Sequence, residues 1–239
     1  MKKLFLILTI CFTLLNYQNL LAQKLEIGIG SSGFIPTGNF AQKLTTEFSC
    51  GLSLNALYQI PKSPFLIGIN FEYSIIDQKT LHHLYRVKEY KSHSNAINFN
   101  ALFRLMSQQG TLRPFFDIQM GLRSVNTKGD FIFDSYFNHS DKHQNVNMNN
   151  STFLGYGLGG GISIYPNHKF GILLGCNYMG SSNLSFVDEK QIDNQSTQGW
   201  DQLLEKGFDK YAQTVQANYF NPFIKLNFTI NAGPSYGKK

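Results

Sequence analysis

The sequence predicts an all-β protein, an eight-stranded antiparallel up-and-down transmembrane β-barrel with short periplasmic turns and longer extracellular loops. Three observations predict it. Apolar and polar residues alternate with period two along much of the chain, the mark of strands with two unlike faces. Short and long connections alternate between those strands. Charged residues are sparse at 15%, and aromatics reach 14%. A soluble domain carries about 25% charged residues, so something other than charge covers this surface.

The first element is a leader. Lys2 and Lys3 form a positive start, and Leu4 to Leu15 is almost unbroken apolar sequence. Leu20-Leu21-Ala22 then offers a small residue before Gln23. This is the layout of a cleaved secretory signal peptide over 1–22, followed by one barrel domain over 23–239. The apolar run is short of the roughly 20 residues that a membrane-spanning helix needs. Mean hydropathy is slightly negative. That does not argue against a membrane barrel, because each lipid-facing residue is followed by one facing the lumen.

The strands are expected near 24–34, 48–60, 65–76, 94–106, 112–125, 152–165, 169–180 and 214–230. The third is the clearest: Phe65, Ile67, Ile69, Phe71, Tyr73 and Ile75 share one face, against Leu66, Gly68, Asn70, Glu72 and Ser74. The fourth sets Ile97, Phe99, Ala101, Phe103 and Leu105 against Asn98, Asn100, Leu102 and Arg104. The fifth and sixth repeat the pattern, the sixth with glycine at most of its lumen positions from Gly155 to Gly161. Close packing inside a barrel explains that run better than a phosphate loop, because the glycines sit within a strand. The eighth changes phase near Asn221-Pro222, where a bulge is expected because proline cannot donate to a ladder.

Connections are short at Pro61–Pro64, Ser107–Thr111 and Pro166–His168, and longer at 35–47, 77–93, 126–151 and 181–213. Strict alternation of this kind is what a meander gives when both termini lie on the short-turn side.

The two faces decide the surrounding medium. A sheet in water needs charge, especially lysine, for solubility and to protect its edges. Here the polar face is mostly Gly, Ser, Asn and Gln, and its charges balance: Glu26, Glu72 and Asp117 against Arg104, Arg123 and Lys225. That composition suits a narrow lumen, and the apolar face suits lipid. A charge network inside the barrel is expected, with Glu26 and Lys225 meeting at closure, Arg104 and Asp117 across one hairpin, and Glu72 one strand further round. Tyr58, Phe65, Phe103, Phe116, Phe170 and Phe228 fall near the short-turn rim, and Phe48, Tyr73, Tyr156 and Tyr178 nearer the loops, as interfacial aromatics do.

Little in the sequence points to catalysis. His139 and His143, with Asp134 and Asp141 nearby, have metal-like spacing only if helical, and their Asn-rich flanks argue otherwise. His82 or His83 with Ser92 or Ser94 could supply parts of a hydrolase, but their spacing is not diagnostic. Cys50 and Cys176 are expected as small apolar residues on strands that are not neighbours. The basic residues are scattered, so no nucleic-acid partner is expected. The last loop carries Trp200, Leu203, Leu204, Phe208 and Tyr211 at helical spacing, a short amphipathic helix that would cap the barrel, lie at the lipid surface or dock a partner, with packing against other loops as the simpler reading.

Several stretches together resemble a known group. They are Leu20-Leu21-Ala22-Gln23, the Gly-rich Gly28 to Gly33, Pro36-Thr37-Gly38-Asn39-Phe40, and Arg113-Pro114-Phe115-Phe116 running to Gly121. With them the chain resembles the outer-membrane β-barrel domain family of Bacteroidetes, including the PorT-like, porin-family small barrels. The resemblance spans the chain beyond the leader and implies architecture and an outer-membrane location, not an activity. PorT itself serves protein secretion, a role these motifs do not carry over. One departure concerns the end of the chain. Many outer-membrane barrels end on an aromatic, whereas nine residues follow Ile230 here, including Tyr236; an internal assembly signal near Phe228 is one explanation.

The expectation is therefore a non-enzymatic, monomeric anchor for surface loops, serving interaction, adhesion or envelope assembly and secretion. No cofactor is expected. Its partners would be outer-membrane lipid, the barrel-assembly machinery, and a protein or surface ligand met through the loops. An eight-stranded lumen is just wide enough for side chains to fill. A narrow porin-like channel is the first alternative, and a soluble periplasmic ligand binder of lipocalin type the second.

Overall fold

The computed structural model describes residues 24–44, 46–84, 87–133, 143–166, 169–187 and 212–231. The leader expected over 1–22 lies outside these. Among the described residues the period-two segments form ten strands: β1 Lys24–Pro36, β2 Ser49–Gln59, β3 Phe65–Leu84, β4 Val87–Met106, β5 Leu112–Phe133, β6 His143–Ile164, β7 Phe170–Ser181, β8 Asn183–Val187, β9 Ala212–Gln216 and β10 Tyr219–Asn231. Eight of them close a barrel in the order β1-β10-β7-β6-β5-β4-β3-β2, and β8 pairs with β9 in a small separate sheet. Every neighbouring pair in the barrel is antiparallel. A short helix, α1 Gly38–Lys43, lies in the β1–β2 connection.

The greasy faces point outward. Ile67, Phe99 and Ile118 are 47%, 52% and 43% exposed, whereas Asn70, Asn98 and Gln119 are buried. Outward rows run around the wall, for example Ile67–Phe103–Ile118–Leu158 and Phe71–Phe99–Leu122–Leu154. Aromatic pairs mark both edges of this belt: Phe65–Phe103 and Phe170–Phe228 at the short-turn rim, Tyr178–Phe220 at the other. This is the surface that hydrocarbon requires and the reverse of a lipocalin, whose apolar side faces its cavity.

Two expectations about the strands are corrected. The segments 77–93 and 126–151 are largely strand rather than loop: β3 and β4 have 20 residues each, β5 and β6 have 22. A tilted membrane strand needs about 9–11 residues, so these four project well beyond the belt on the loop side. Register shifts at Ile75/Asp77, Val87/Glu89 and Thr127/Lys128 break the phase and hide the continuation from a simple alternation count.

The second correction concerns Pro222. The β1–β10 register is constant on both sides of it, so no residue is bulged out. The ladder is interrupted instead, opposite Gly33 and Phe34. The Asn221 side-chain amide donates to the Gly33 carbonyl at 3.1 Å, satisfying an acceptor that the broken ladder leaves open. The strand keeps its phase because Tyr219 and Phe223 are inward-facing aromatics, both buried.

Candidate functional site

The lumen holds two buried apolar clusters and a set of buried charges. At the short-turn end Leu57, Leu66, Leu102, Met106, Phe115, Tyr165, Leu173 and Phe223 form a buried apolar cluster. At the loop end a second cluster joins wall residues such as Phe34, Ile76, Val125 and Phe153 to Phe40 of α1, Leu184 of β8 and Val215 of β9. All six expected lumen charges are buried, each at most 2% exposed, and two of them stand beside the lower cluster: Glu26 is registered with Leu57 and Arg104 with Leu66. Alternation separates inside from outside but does not reveal that the inside also holds apolar clusters. Leu57, Leu66 and Phe115 were the readable signs, as apolar residues on the polar face.

Register decides which charges meet. Arg104 and Asp117 are direct cross-strand partners. The guanidinium grips the carboxylate in two bonds, Nε to Oδ1 and Nη2 to Oδ2, each 2.7 Å, and also lies 4.4 Å over the Phe115 ring. Bidentate, charge-assisted bonds of this kind are the strong ones. Glu26 and Lys225 do not meet as expected. Across the seam Glu26 faces Thr229 and Lys225 faces Gly30. Glu26 instead lies 3.7 Å from Lys24 and accepts from Asn227 at 3.0 Å.

Lys225 belongs to a different inward row, Lys225–Gly30–Ser53–Glu72–Asn98–Arg123. Asparagines relay its charges. Lys225 Nζ donates to Asn70 Oδ1 at 3.0 Å, and Asn70 Nδ2 donates to Glu72 Oε1 at 3.0 Å. On the other side Asn98 Nδ2 donates to Glu72 Oε2 at 3.2 Å while its oxygen accepts from Arg123 Nε at 2.8 Å. A carboxamide offers a donor and an acceptor on one planar group, so it can join a cation to an anion without adding charge. The Arg123 head lies 4.6 Å over the Tyr219 ring, at the boundary with the loop-end cluster. Glycines on β6 make room: a methyl on Gly157 would overlap Met179 Sδ, and one on Gly159 would overlap Asn177 Oδ1.

Other candidate residues are placed less closely together, or lie outside the described residues. Trp200, Leu203, Leu204, Phe208 and Tyr211 lie outside, as do Asp134, His139 and Asp141. His143 is the first residue of β6. His82 is registered with Glu89 on β4, and Ser92 with Lys79. Ser92 and Ser94 face inward and are buried, and Ser94 shares a 2.8 Å hydrogen bond with Thr127. Cys50 and Cys176 are free thiols on the outward face of β2 and β7, with β1 and β10 between them.

Above the belt the outward rows turn polar. Ile75–Asn95–Asn126–Asn150 is followed by Gln78–His93–Lys128–Asn147. Inward, Ser92, Ser94 and Thr127 stay polar, but beyond them Tyr90, Phe131 and Met148 are buried, with the two rings 4.8 Å apart and the Tyr90 hydroxyl 3.2 Å from the Met148 sulfur.

No family model matches the sequence, and no curated protein matches it. Among solved structures, the chain is similar to Ail, the attachment invasion locus protein of Yersinia pestis, solved with the heparin analogue sucrose octasulfate, at 11% identity and a TM-score of 0.47, over 88% of this chain and 100% of that one. It is also similar to a major outer membrane protein of Thermus thermophilus, at 11% identity and a TM-score of 0.47, over 86% and 99%. A third is the outer membrane protein OprG of Pseudomonas aeruginosa, at 12% identity and a TM-score of 0.43, over 88% and 97%.

Proposed function

We propose that this chain is a small outer-membrane barrel whose interior is closed, acting as a non-enzymatic, monomeric anchor that holds structure on the loop side for interaction, adhesion or support of envelope assembly and secretion. The observation that carries the reading is the filled lumen. Leu57, Leu66, Asn70, Arg104 and Leu173 are all 0% exposed, and they include both the lower apolar cluster and the polar residues beside it. A wall that is greasy outside and sealed inside anchors and does not conduct. Export by a cleaved leader and membership of the Bacteroidetes family, PorT-like proteins included, belong to the same reading and rest on the sequence motifs. The segment carrying Trp200 to Tyr211 is its candidate docking element for a partner protein.

Planar-bilayer recording of the purified full chain tests the reading. No steady open current is expected. A stable, salt-proportional conductance would replace the anchor with the narrow channel. Release into buffer without detergent from isolated envelopes would remove the membrane placement.

A further inference from the structure

The loop-side end carries a feature that anchoring does not require. A concavity of about 390 Å³ opens where α1, β8, β9 and the start of β10 converge. Five carboxamides line it, Asn39, Gln42, Asn183, Gln216 and Asn218. Among the described residues its lining includes no acidic residue and one cation, Lys43. The volume lies within the range of about 300–1,000 Å³ usual for small-ligand sites. An exposed surface selected only for solubility would mix lysine and glutamate instead.

The concavity is held from below. Phe40, Leu184, Val215 and Ala217 belong to the buried loop-end cluster. Thr37 N donates to Asn218 O at 2.9 Å, Asn218 N to Gln216 O at 3.1 Å, and Ala217 N to Ser181 Oγ at 2.8 Å. The amides therefore sit on a fixed floor, which limits the ordering cost of binding.

From this arrangement we infer that the concavity is a binding site for a neutral saccharide. Each carboxamide offers two N–H donors and an acceptor oxygen, and each sugar hydroxyl is both donor and acceptor, so the two match without charge. A peptide would match the amides, and β9 offers it a sheet edge, but side-chain pockets are lacking among the described residues. Extended peptides need a sheet edge or groove with apolar side-chain pockets, and among the described residues Val215 is the one apolar side chain lining this concavity. A sulfated or carboxylated glycan would need more than one lysine. The inference adds a ligand class to the anchoring reading and rests on it only for which side of the membrane the site faces.

The test uses the full chain in detergent micelles and titrates a panel of maltotriose, chitotriose and mannotriose, a sulfated disaccharide, and an extended hexapeptide. At least one neutral trisaccharide is expected to bind. The double variant Asn39→Ala, Gln216→Ala is expected to weaken it at least about tenfold, on the scale of two lost hydrogen bonds. Lys43→Gln is expected to change it less than about threefold, since a neutral ligand makes no ion pair with the lysine. Heat-modified gel mobility of each variant checks that the barrel is intact, and the milder double variant Asn39→Ser, Gln216→Ser replaces the first if it is not. Failure of every neutral sugar, preference for the sulfated disaccharide or the peptide, or unchanged affinity in a folded double variant would each overturn the inference. None of these outcomes bears on bilayer conductance, so the two readings fail separately.

Discussion

The lower half and the far end of the β3–β6 wall share the same strands and the same ladder, yet their polarity is opposite. In the lower half Phe99, Ile118 and Leu122 face out while Asn98, Arg104 and Asp117 face in. In the upper half Asn95, Asn126 and Lys128 occupy outward rows while Tyr90, Phe131 and Met148 are buried. The turnover falls at the row Tyr73–Ile97–Ser124–Thr152, half apolar and half hydroxyl, where Thr152 Oγ1 donates to Ser124 Oγ at 3.2 Å. Strand pairing is indifferent to the medium, but side chains are not. The inversion therefore marks where the outward face of these four strands stops suiting hydrocarbon, the upper boundary of the belt.

This contrast can be broken most strongly at the buried pair. Asp117→Ala leaves Arg104 charged and unpaired in the lower lumen, and a loss of about 3–5 kcal/mol is expected, less where water enters. Urea unfolding followed by heat-modified gel mobility measures it. A loss below about 1 kcal/mol, the scale of an exposed pair, would show that the pair is solvated.

The next effect tests the inversion itself. Ile118→Arg on the outward face should cost about 2–4 kcal/mol in bilayers, whereas Asn126→Arg, outward but above the boundary, should cost within about 0.5 kcal/mol. Equal penalties would move the boundary or abolish it. A smaller loss, about 0.5–1.5 kcal/mol, is expected for Thr127→Val, which removes the shared bond to Ser94 inside the upper half. The smallest belongs to the outermost charges. Lys91→Gln breaks a 3.0 Å pair with Glu89 at a side chain 52% exposed, and a change under about 0.5 kcal/mol that vanishes in high salt is expected.

The belt was legible because hydrocarbon keeps every outward position apolar from Phe65 to Tyr73 and from Ile97 to Leu105. The upper half was not, because bulges at Ile75 and Thr127 shift the phase just where the polarity also turns over. A count tuned to apolar-out alternation reads such a segment as loop. The site shows the same division. The membership of the lumen charge set followed from which face each residue occupies, but the partnership of Glu26 with Lys225 did not hold, because facing the lumen on paired strands does not make two residues opposite one another.

By itself the sequence determined the eight barrel strands, the direction of the greasy face and the lumen side of Glu26, Glu72, Asp117, Arg104, Arg123 and Lys225, because each follows from local alternation and composition; the buried Asp77 and Arg113 escaped it. Only the tertiary structure decided that Glu26 and Arg104 stand beside leucines of the lower cluster, that asparagines carry Lys225 to Glu72 and Glu72 to Arg123, and that five amides from separate segments share one hollow at the loop end. The physical reason is register. Alternation fixes a side of the sheet, but who stands beside whom depends on the stagger between strands and on closure of the ring, which no single segment contains.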